Sequence, residues 1–166
     1  MNLEEDLFRK YRQMKTDKAV QRMRLTAYGV PIKAIIDGNY IKEEGEFAPN
    51  YIEIGTKKVS RVNIIGIVVS LEEKETSSKS LVIDDGSAKI SLRGFEQIPA
   101  PNDIVIGDII KVIGRPREFG SEKYIVPEII KKTNENWMRV RKLEIEKEGI
   151  YNIDNDTKKE DVVENV

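Results

Sequence analysis

The stretch SLVIDDGSAKISLRGF, residues 80–95, decides the fold class. Apolar and polar residues alternate on both sides of an Asp-Asp-Gly turn, a pattern typical of a β-hairpin. The turn is predicted at Asp85 and Gly86. The second strand ends with Arg93 and Phe95, which lie on the same face because they are two residues apart. Phe95 is therefore either a core residue or an exposed platform for a flat ligand.

Three further strand-like runs surround this hairpin. Residues 58–73 form a long first strand, in which Gly66 predicts a bulge or a sharp bend. Residues 109–119 and 123–132 form the fourth and fifth strands, after a connection (96–108) without an obvious helix. Five strands with this spacing are typical of a mainly β fold, the OB-fold Greek-key barrel. A small half-open sandwich is the alternative.

The flanking segments predict the rest of the organisation. Residues 1–56 are expected to form an N-terminal helix, over 2–24, and an extended arm packed on the barrel of residues 57–132. A helix is predicted within 133–149, because Thr133 or Asn134 can cap its start and Gly149 can end it. Residues 150–166 are polar and acidic, and we expect them to be disordered.

Composition excludes several classes of function. The 166 residues contain no cysteine and no histidine, which excludes disulfides, thiolate or imidazole metal sites, and Ser-His or Cys-His nucleophiles. The aspartates 84, 85, 103 and 108 are interpreted as turn and loop residues rather than as a metal site, and no paired general acid and base is evident. We therefore expect no enzyme activity, no metal and no cofactor. The sequence contains no apolar run of about 18 residues and no secretory signal, so a cytoplasmic, nucleoid-associated protein without a membrane partner is expected.

Aromatic and cationic side chains collect on the third, fourth and fifth strands. This combination is typical of OB-folds that bind single-stranded nucleic acid, because bases stack on aromatic rings and cations contact phosphates. Residues 57–132 carry thirteen basic and eleven acidic side chains, so the affinity should be modest. Phe95 and Phe119 could instead be core residues. The predicted nucleic-acid-binding residues are Arg93, Phe95, Arg115, Arg117, Phe119, Lys123 and Tyr124.

The predicted C-terminal helix has an unusually wide apolar arc. One flank packed against a barrel does not need an arc of this width, so the helix is expected to be buried on two sides, as in a bundle with partner helices. The residues predicted to form this subunit interface are Trp137, Met138, Val140, Leu143 and Ile145.

These passages together resemble the middle subunit of replication protein A in its archaeal form. The resemblance covers about residues 44–146 and rests on EGEFAPNY with KVSRVNIIGIVVS, LVIDDGSAKISLRGF, GDIIKVIGRPREFGSEKYIVPEII and NENWMRVRKLEI. It implies a subunit of a heterotrimer that binds single-stranded DNA, with a weakly binding barrel. It also implies that residues 134–148 join a three-helix bundle with two other OB-fold subunits. By position, the family's strand-three aromatic falls on Phe95 and its hairpin aromatic on Phe119.

Two other functions stay open at this point. The chain could be a structural interaction module in which Phe95 and Phe119 are core residues, or an RNA-binding OB-fold module. Solvent exposure of the two phenylalanines distinguishes the first from DNA binding, and a preference for deoxyribose over ribose strands distinguishes the second.

Overall fold

Five β-strands close into a barrel, as the sequence predicts. The computed structural model describes residues 3–20, 25–45, 48–73, 79–94 and 98–149. The spatial order β4-β5-β6-β8-β7 is that of the OB-fold, with β6 and β8 parallel and the other pairs antiparallel. The barrel strands are β4 (Val62–Glu73), β5 (Lys79–Asp84), β6 (Lys89–Leu92), β7 (Ile109–Phe119) and β8 (Glu122–Lys132).

The arm that precedes the barrel contains elements of its own. Helix α1 (Leu3–Val20) is followed by a short helix, α2 (Ile32–Asp37), and by a three-stranded antiparallel sheet. This sheet consists of β1 (Asn39–Ile41), β2 (Tyr51–Ile54) and β3 (Lys57–Val59). The buried side chains of α2 and of this sheet join those of the barrel in one continuous core, which includes Ile32, Ile35, Ile52, Val59, Ile83 and Ile125.

The predicted first strand, 58–73, is wrong as one continuous element. Its first residues pair with β2 in the small sheet, and the barrel strand begins only at Val62. The reason is Tyr28, which bridges to Val62: its N–H donates to the Arg61 carbonyl (3.0 Å) and its carbonyl accepts from the Asn63 N–H (2.8 Å). The irregularity predicted at Gly66 lies between Val68 and Ser70 instead.

The loop between β5 and β6 spans residues 85–88 and connects the barrel to α2. Asp85 Oδ1 accepts from the Ser87 N–H (2.9 Å), and Gly86, at φ +88°, turns the chain. Asp85 Oδ2 accepts from the N–H of Ile32 (2.8 Å), the first residue of α2. At the other end of α2, the Lys123 ammonium donates to the Ile36 carbonyl (2.6 Å). Residues of the barrel therefore hold both ends of this short helix, with charges that complement its dipole.

Helix α3 (Glu135–Glu148) has the boundaries that its capping residues predict. The Asn134 side chain accepts from the N–H groups of Asn136 and Trp137, and Gly149 ends the helix at φ +69°. Ile145 is buried, and the Arg141 guanidinium donates to the Asn63 carbonyl of β4 (2.6 Å). These contacts dock α3 on the barrel. Within the described ranges, none of the helices combines the length and the hydropathy needed to cross a bilayer.

Candidate nucleic-acid interface

The outer face of four neighbouring barrel strands forms one polar and aromatic surface. The strand register aligns Val82 of β5, Ser91 of β6, Tyr124 of β8 and Arg117 of β7 in a row across the sheet. Leu81, Leu92 and Ile125 form the adjacent row, on the inner side, and are fully buried. The alternation therefore separates a core row from a solvent-facing row with ring, hydroxyl and guanidinium groups.

A groove of about 210 Å³ opens at the end of this row. It lies beside the β7–β8 hairpin, and its lining residues are Arg93, Gly94, Phe119, Tyr124 and Val126. Phe119 is 80% exposed at the tip of the hairpin, where Gly120 (φ +63°) permits the tight turn. This exposure rules out the alternative that Phe119 is a core residue.

Arg93 is held over the groove by two interactions. Its guanidinium lies 5.4 Å from the centroid of the Tyr124 ring and forms an ion pair with Glu122. Its backbone N–H continues the β6–β8 pairing by donating to the Ile125 carbonyl (2.9 Å). The arginine is therefore oriented before any ligand arrives, and an incoming phosphate would exchange with Glu122.

The two arginines of β7 differ in how tightly they are held. Arg117 is half-buried and donates to the carbonyl of Pro116 (2.9 Å). Arg115 donates from Nε to Glu128 (2.8 Å), a carboxylate that Arg61 also contacts (2.7 Å). Burial works to raise the pKa of Glu128, but the hydrogen bonds from the two arginines outweigh it, and the pKa is lowered. Arg115 is thus part of a structural ion-pair cluster at the edge of the surface.

Lys123 does not belong to the outer surface, contrary to the sequence prediction. Its side chain is only 13% exposed and lies beside Glu118 (3.7 Å), and its ammonium donates to the Ile36 carbonyl of α2. It faces inward because it precedes the outward-facing Tyr124 by one residue on the strand. Phe95, the strand-three aromatic of the prediction, lies outside the described residues.

Three residues of this surface were missed by the sequence reasoning: Val82, Ser91 and Val126. The alternation of the strands contained the signal for them, because Ser91 and Val126 lie two residues from Arg93 and Tyr124, and Val82 alternates with the buried Leu81 and Ile83. They were passed over because they are small or uncharged.

The aspartates have structural partners rather than the arrangement of a metal site. Asp84 and Asp85 accept backbone N–H groups of their own loop. Asp103 and Asp108 each lie 3.0 Å from the Lys132 ammonium, and hydrogen bonding lowers the pKa of both carboxyls. No group of three potential metal ligands occurs in the part of the chain that the structure describes.

The predicted interface residues of α3 divide between two sides of the helix. Met138 is half-buried and Ile145 is buried against the barrel. Trp137, Val140 and Leu143 remain exposed, by 58%, 41% and 65%. One flank of the helix therefore covers the barrel, and the other presents an apolar stripe to solvent.

Comparisons with known proteins find similarity to replication protein A in sequence and in structure. No family model matches the chain. It is 36% identical over 134 residues to an uncharacterised protein of Methanocaldococcus jannaschii, and 24% identical over 102 residues to Replication factor A protein 2 of Schizosaccharomyces pombe. A chain of yeast replication protein A bound to single-stranded DNA shares 28% identity and superposes with a TM-score of 0.56. The chain is similar to replication protein A in sequence and in fold.

The alignments with replication protein A structures cover about three quarters of this chain. The yeast alignment covers 74% of this chain and 88% of the other. A chain of a second replication protein A heterotrimer bound to single-stranded DNA reaches a TM-score of 0.63 at 15% identity, over 76% of this chain and 98% of that one. A chain of the S. pombe Stn1–Ten1 complex reaches 0.57 at 14% identity, over 80% and 99%. The latter two likenesses concern the fold alone.

The resemblance to replication protein A that the sequence passages indicate is therefore confirmed, as is the OB-fold barrel. The sequence alignments cover 81% of this chain for the M. jannaschii protein and 61% for the S. pombe protein. The chain spans 53% and 34% of the lengths of those two relatives. The individual binding residues and the partner subunits stay predictions.

Proposed function

We propose that the chain is a non-catalytic, single-stranded DNA-binding subunit of a replication protein A-like heterotrimer. The observation that carries the proposal is the exposed Phe119 ring on the hairpin beside a groove that contains Arg93 and Tyr124. Aromatic platforms with neighbouring cations are how OB-folds hold single strands. The similarity to chains of replication protein A bound to single-stranded DNA supports the same function.

The geometry supports binding without base-specific hydrogen bonds. One base stacks on Phe119, and the neighbouring phosphates contact Arg93 and Arg117 on the outer row. Tyr124 supports the Arg93 guanidinium from below and offers part of its ring to the groove. Both arginines already have partners within the protein, Arg93 in the Glu122 carboxylate and Arg117 in the Pro116 carbonyl. This chain alone should therefore bind DNA weakly, and the partner subunits should supply the remaining affinity.

The role of Phe119 in DNA binding can be tested by replacing it with alanine. The variant should weaken binding of a dT oligonucleotide by about 1–3 kcal/mol, because one stacked base is lost. Binding is measured by fluorescence anisotropy of the labelled strand. Ile106→Ala is the matched control, since Ile106 is also an exposed apolar residue (62%) but lies in the 98–108 connection.

The same titration separates the alternatives. Phe119 is already exposed, so its replacement should leave the thermal unfolding midpoint nearly unchanged. Unchanged DNA affinity in the variant would favour a structural interaction module. Tighter binding of an oligo-U strand than of the dT strand would favour the RNA-binding alternative.

Assembly is the second part of the proposal, and it rests on α3. The exposed stripe of Trp137, Val140 and Leu143 is contiguous on one flank of the helix. Exposed apolar stripes of this kind mark interfaces between proteins, and tryptophan is enriched at interface centres. We propose that this stripe joins the helices of two other OB-fold subunits.

A further inference from the structure

A groove of about 390 Å³ lies between α3 and the barrel. On one side it is bounded by Trp137 and Val140 of α3, and on the other by Lys111 of β7 and Lys131 of β8. Ile65 of β4 contributes to the lining between them. The groove thus has one apolar wall, continuous with the exposed stripe of α3, and one cationic wall.

The two lysines of the cationic wall are direct neighbours across the sheet. Lys111 and Lys131 pair in the β7–β8 register, and like charges directly opposite each other destabilise a sheet. Neither ammonium group has a hydrogen bond or an ion pair with another residue in the described ranges. The fold itself therefore leaves this repulsion uncompensated.

The other two cationic residues that line the groove, Lys132 and Arg141, do have ion-pair partners. Lys132 is neutralised by Asp103 and Asp108, at 3.0 Å from each. Arg141 forms an ion pair with Glu144 (3.1 Å) and donates to the Asn63 carbonyl. The uncompensated charge is therefore localised at the Lys111–Lys131 pair, beside the apolar wall.

We infer that this groove binds an amphipathic helix of a partner subunit whose flanking carboxylates pair with Lys111 and Lys131. The inference rests on the proposed function and adds the chemistry of the partner to it. The apolar side of the partner helix packs on Trp137 and Val140, and glutamates or aspartates one turn apart on its flank reach the lysines. Complementary charge beside an apolar centre sets which partner is accepted and in which orientation.

A second copy of the chain fits this groove less well. Helix α3 carries four acidic and four basic side chains between residues 135 and 148, so a second α3 brings no net negative charge to the lysine pair. Nucleic acid is also a weaker candidate, because the α3 wall adds Glu144 and an apolar stripe where a phosphate backbone would lie. Both occupants are outcomes of the test below.

Trp137 is the single tryptophan of the chain and reports on the groove directly. The probe is a synthetic amphipathic peptide of about 20 residues, long enough to form a helix, with a leucine stripe flanked by glutamates. A matched peptide carries lysines at the flanking positions. The full chain should bind the glutamate peptide at least about tenfold more tightly, with a blue shift of the Trp137 emission.

The variant Lys111→Glu with Lys131→Glu should reverse that preference. Lys142→Glu makes the same type of substitution once on α3, at an exposed residue on the side away from Val140, and should leave the preference unchanged. Circular dichroism of each variant checks that the fold is intact. Equal binding of the two peptides by the native chain, or no binding of either, would overturn the inference.

Two further results would also overturn it. Self-association of the native chain that buries Trp137 and excludes the peptides would make a second copy the occupant. Loss of dT oligonucleotide binding in the double-lysine variant, without any peptide preference in the native chain, would make the groove a nucleic-acid surface. The proposed function is overturned by a different observation, unchanged DNA affinity in Phe119→Ala, because Phe119 lies outside this groove.

Discussion

Asp85 shows how much one side chain can contribute to this fold. From the sequence it is a turn residue, and it does accept the N–H of Ser87 within the loop. Its second oxygen accepts the N–H of Ile32, 53 residues earlier in the chain. The carboxylate therefore stabilises the hairpin and caps α2 at the same time, which places the arm against the barrel.

Replacing Asp85 with asparagine tests this double role. A carboxylate offers two acceptor oxygens, whereas an amide offers one, so Asp85→Asn can keep the loop or the cap but not both. We expect the free energy of unfolding to fall by about 1 kcal/mol, the usual cost of a lost helix cap, and by more in Asp85→Ala. Urea unfolding followed by circular dichroism measures the change.

The control for Asp85 is Glu53→Gln, at an exposed position of β2, which should unfold as the native chain does. If Asp85→Asn matched the native chain as well, the bond to Ile32 would contribute nothing to stability.

Residues differ in how far the sequence alone could place them. Phe119 follows Arg115 and Arg117 at even steps along β7, so alternation predicts that all three share the outer face. For Lys123, alternation with Tyr124 indicates the inner face but not the partner. The carbonyl of Ile36 lies 87 positions away, and no local pattern indicates that α2 reaches this strand.

At the scale of elements, a bulge in β8 assembles the ion-pair cluster beside the binding surface. The register passes from Ile113–Ile129 to Gly114–Pro127, so Glu128 is the extra residue of β8. This places its carboxylate between Arg115 of β7 and Arg61, which precedes β4. The cluster therefore ties three segments together and sets the position of Arg115.

The pKa of Glu128 predicts how this cluster responds to acid. Its pKa in the folded chain is lowered from the ordinary value of 4.5. The stability that it contributes is therefore fully present above that value and is lost as the pH falls through the lower folded-state pKa. Glu128→Gln should be less stable than the native chain by on the order of 1 kcal/mol near neutral pH, and the difference should shrink below pH 4.5.

Chemical unfolding at several pH values measures that difference directly. The native chain also loses the contributions of Asp103 and Asp108 in acid, but these are common to both proteins and cancel. A difference that stays constant down to the acid transition would show that Glu128 acts through packing rather than through charge.

Elements with strong local signals were predicted well, and elements defined by distant pairing were not. The bounds of α3 follow from Asn134 and Gly149, which are adjacent to it in sequence. The small sheet was missed because its strands are three or four residues long, too short for alternation to be visible. The division of the first strand was missed because it depends on Tyr28, more than thirty positions away.

For the whole molecule, the number of cations on the outer face sets the salt dependence of DNA binding. Two phosphate contacts, at Arg93 and Arg117, imply a log–log slope of about −1.4, at ~0.7 per contact on a single strand. Arg117→Ala should reduce the magnitude by ~0.7, whereas Lys42→Ala, at an exposed position after β1, should not. Anisotropy titrations over a range of salt concentrations give the slopes. A slope several times steeper in the native chain would require a larger basic surface than these two arginines.

Assembly with the partner subunits should depend more on Trp137 than on any other side chain of α3. Met138 and Ile145 already pack against the barrel, so α3 stays docked when a residue of its other flank is truncated. Trp137 is the largest residue of that flank, and truncating a central buried tryptophan commonly costs about 2 kcal/mol or more at an interface. Trp137→Ala should therefore release the chain from its partner subunits, whereas Lys142→Ala should not.

Size-exclusion chromatography of the co-expressed subunits decides between these outcomes. The released variant should elute as a folded monomer and should keep the weak, salt-sensitive binding of the dT strand, because Phe119 and Arg93 lie on the barrel and not on α3. A complex that stays intact with Trp137→Ala would show that another surface mediates assembly. The first to test would then be α1, whose described apolar side chains Leu3, Leu7 and Phe8 are 79%, 62% and 61% exposed, since a helix with such a face also needs a partner to bury it.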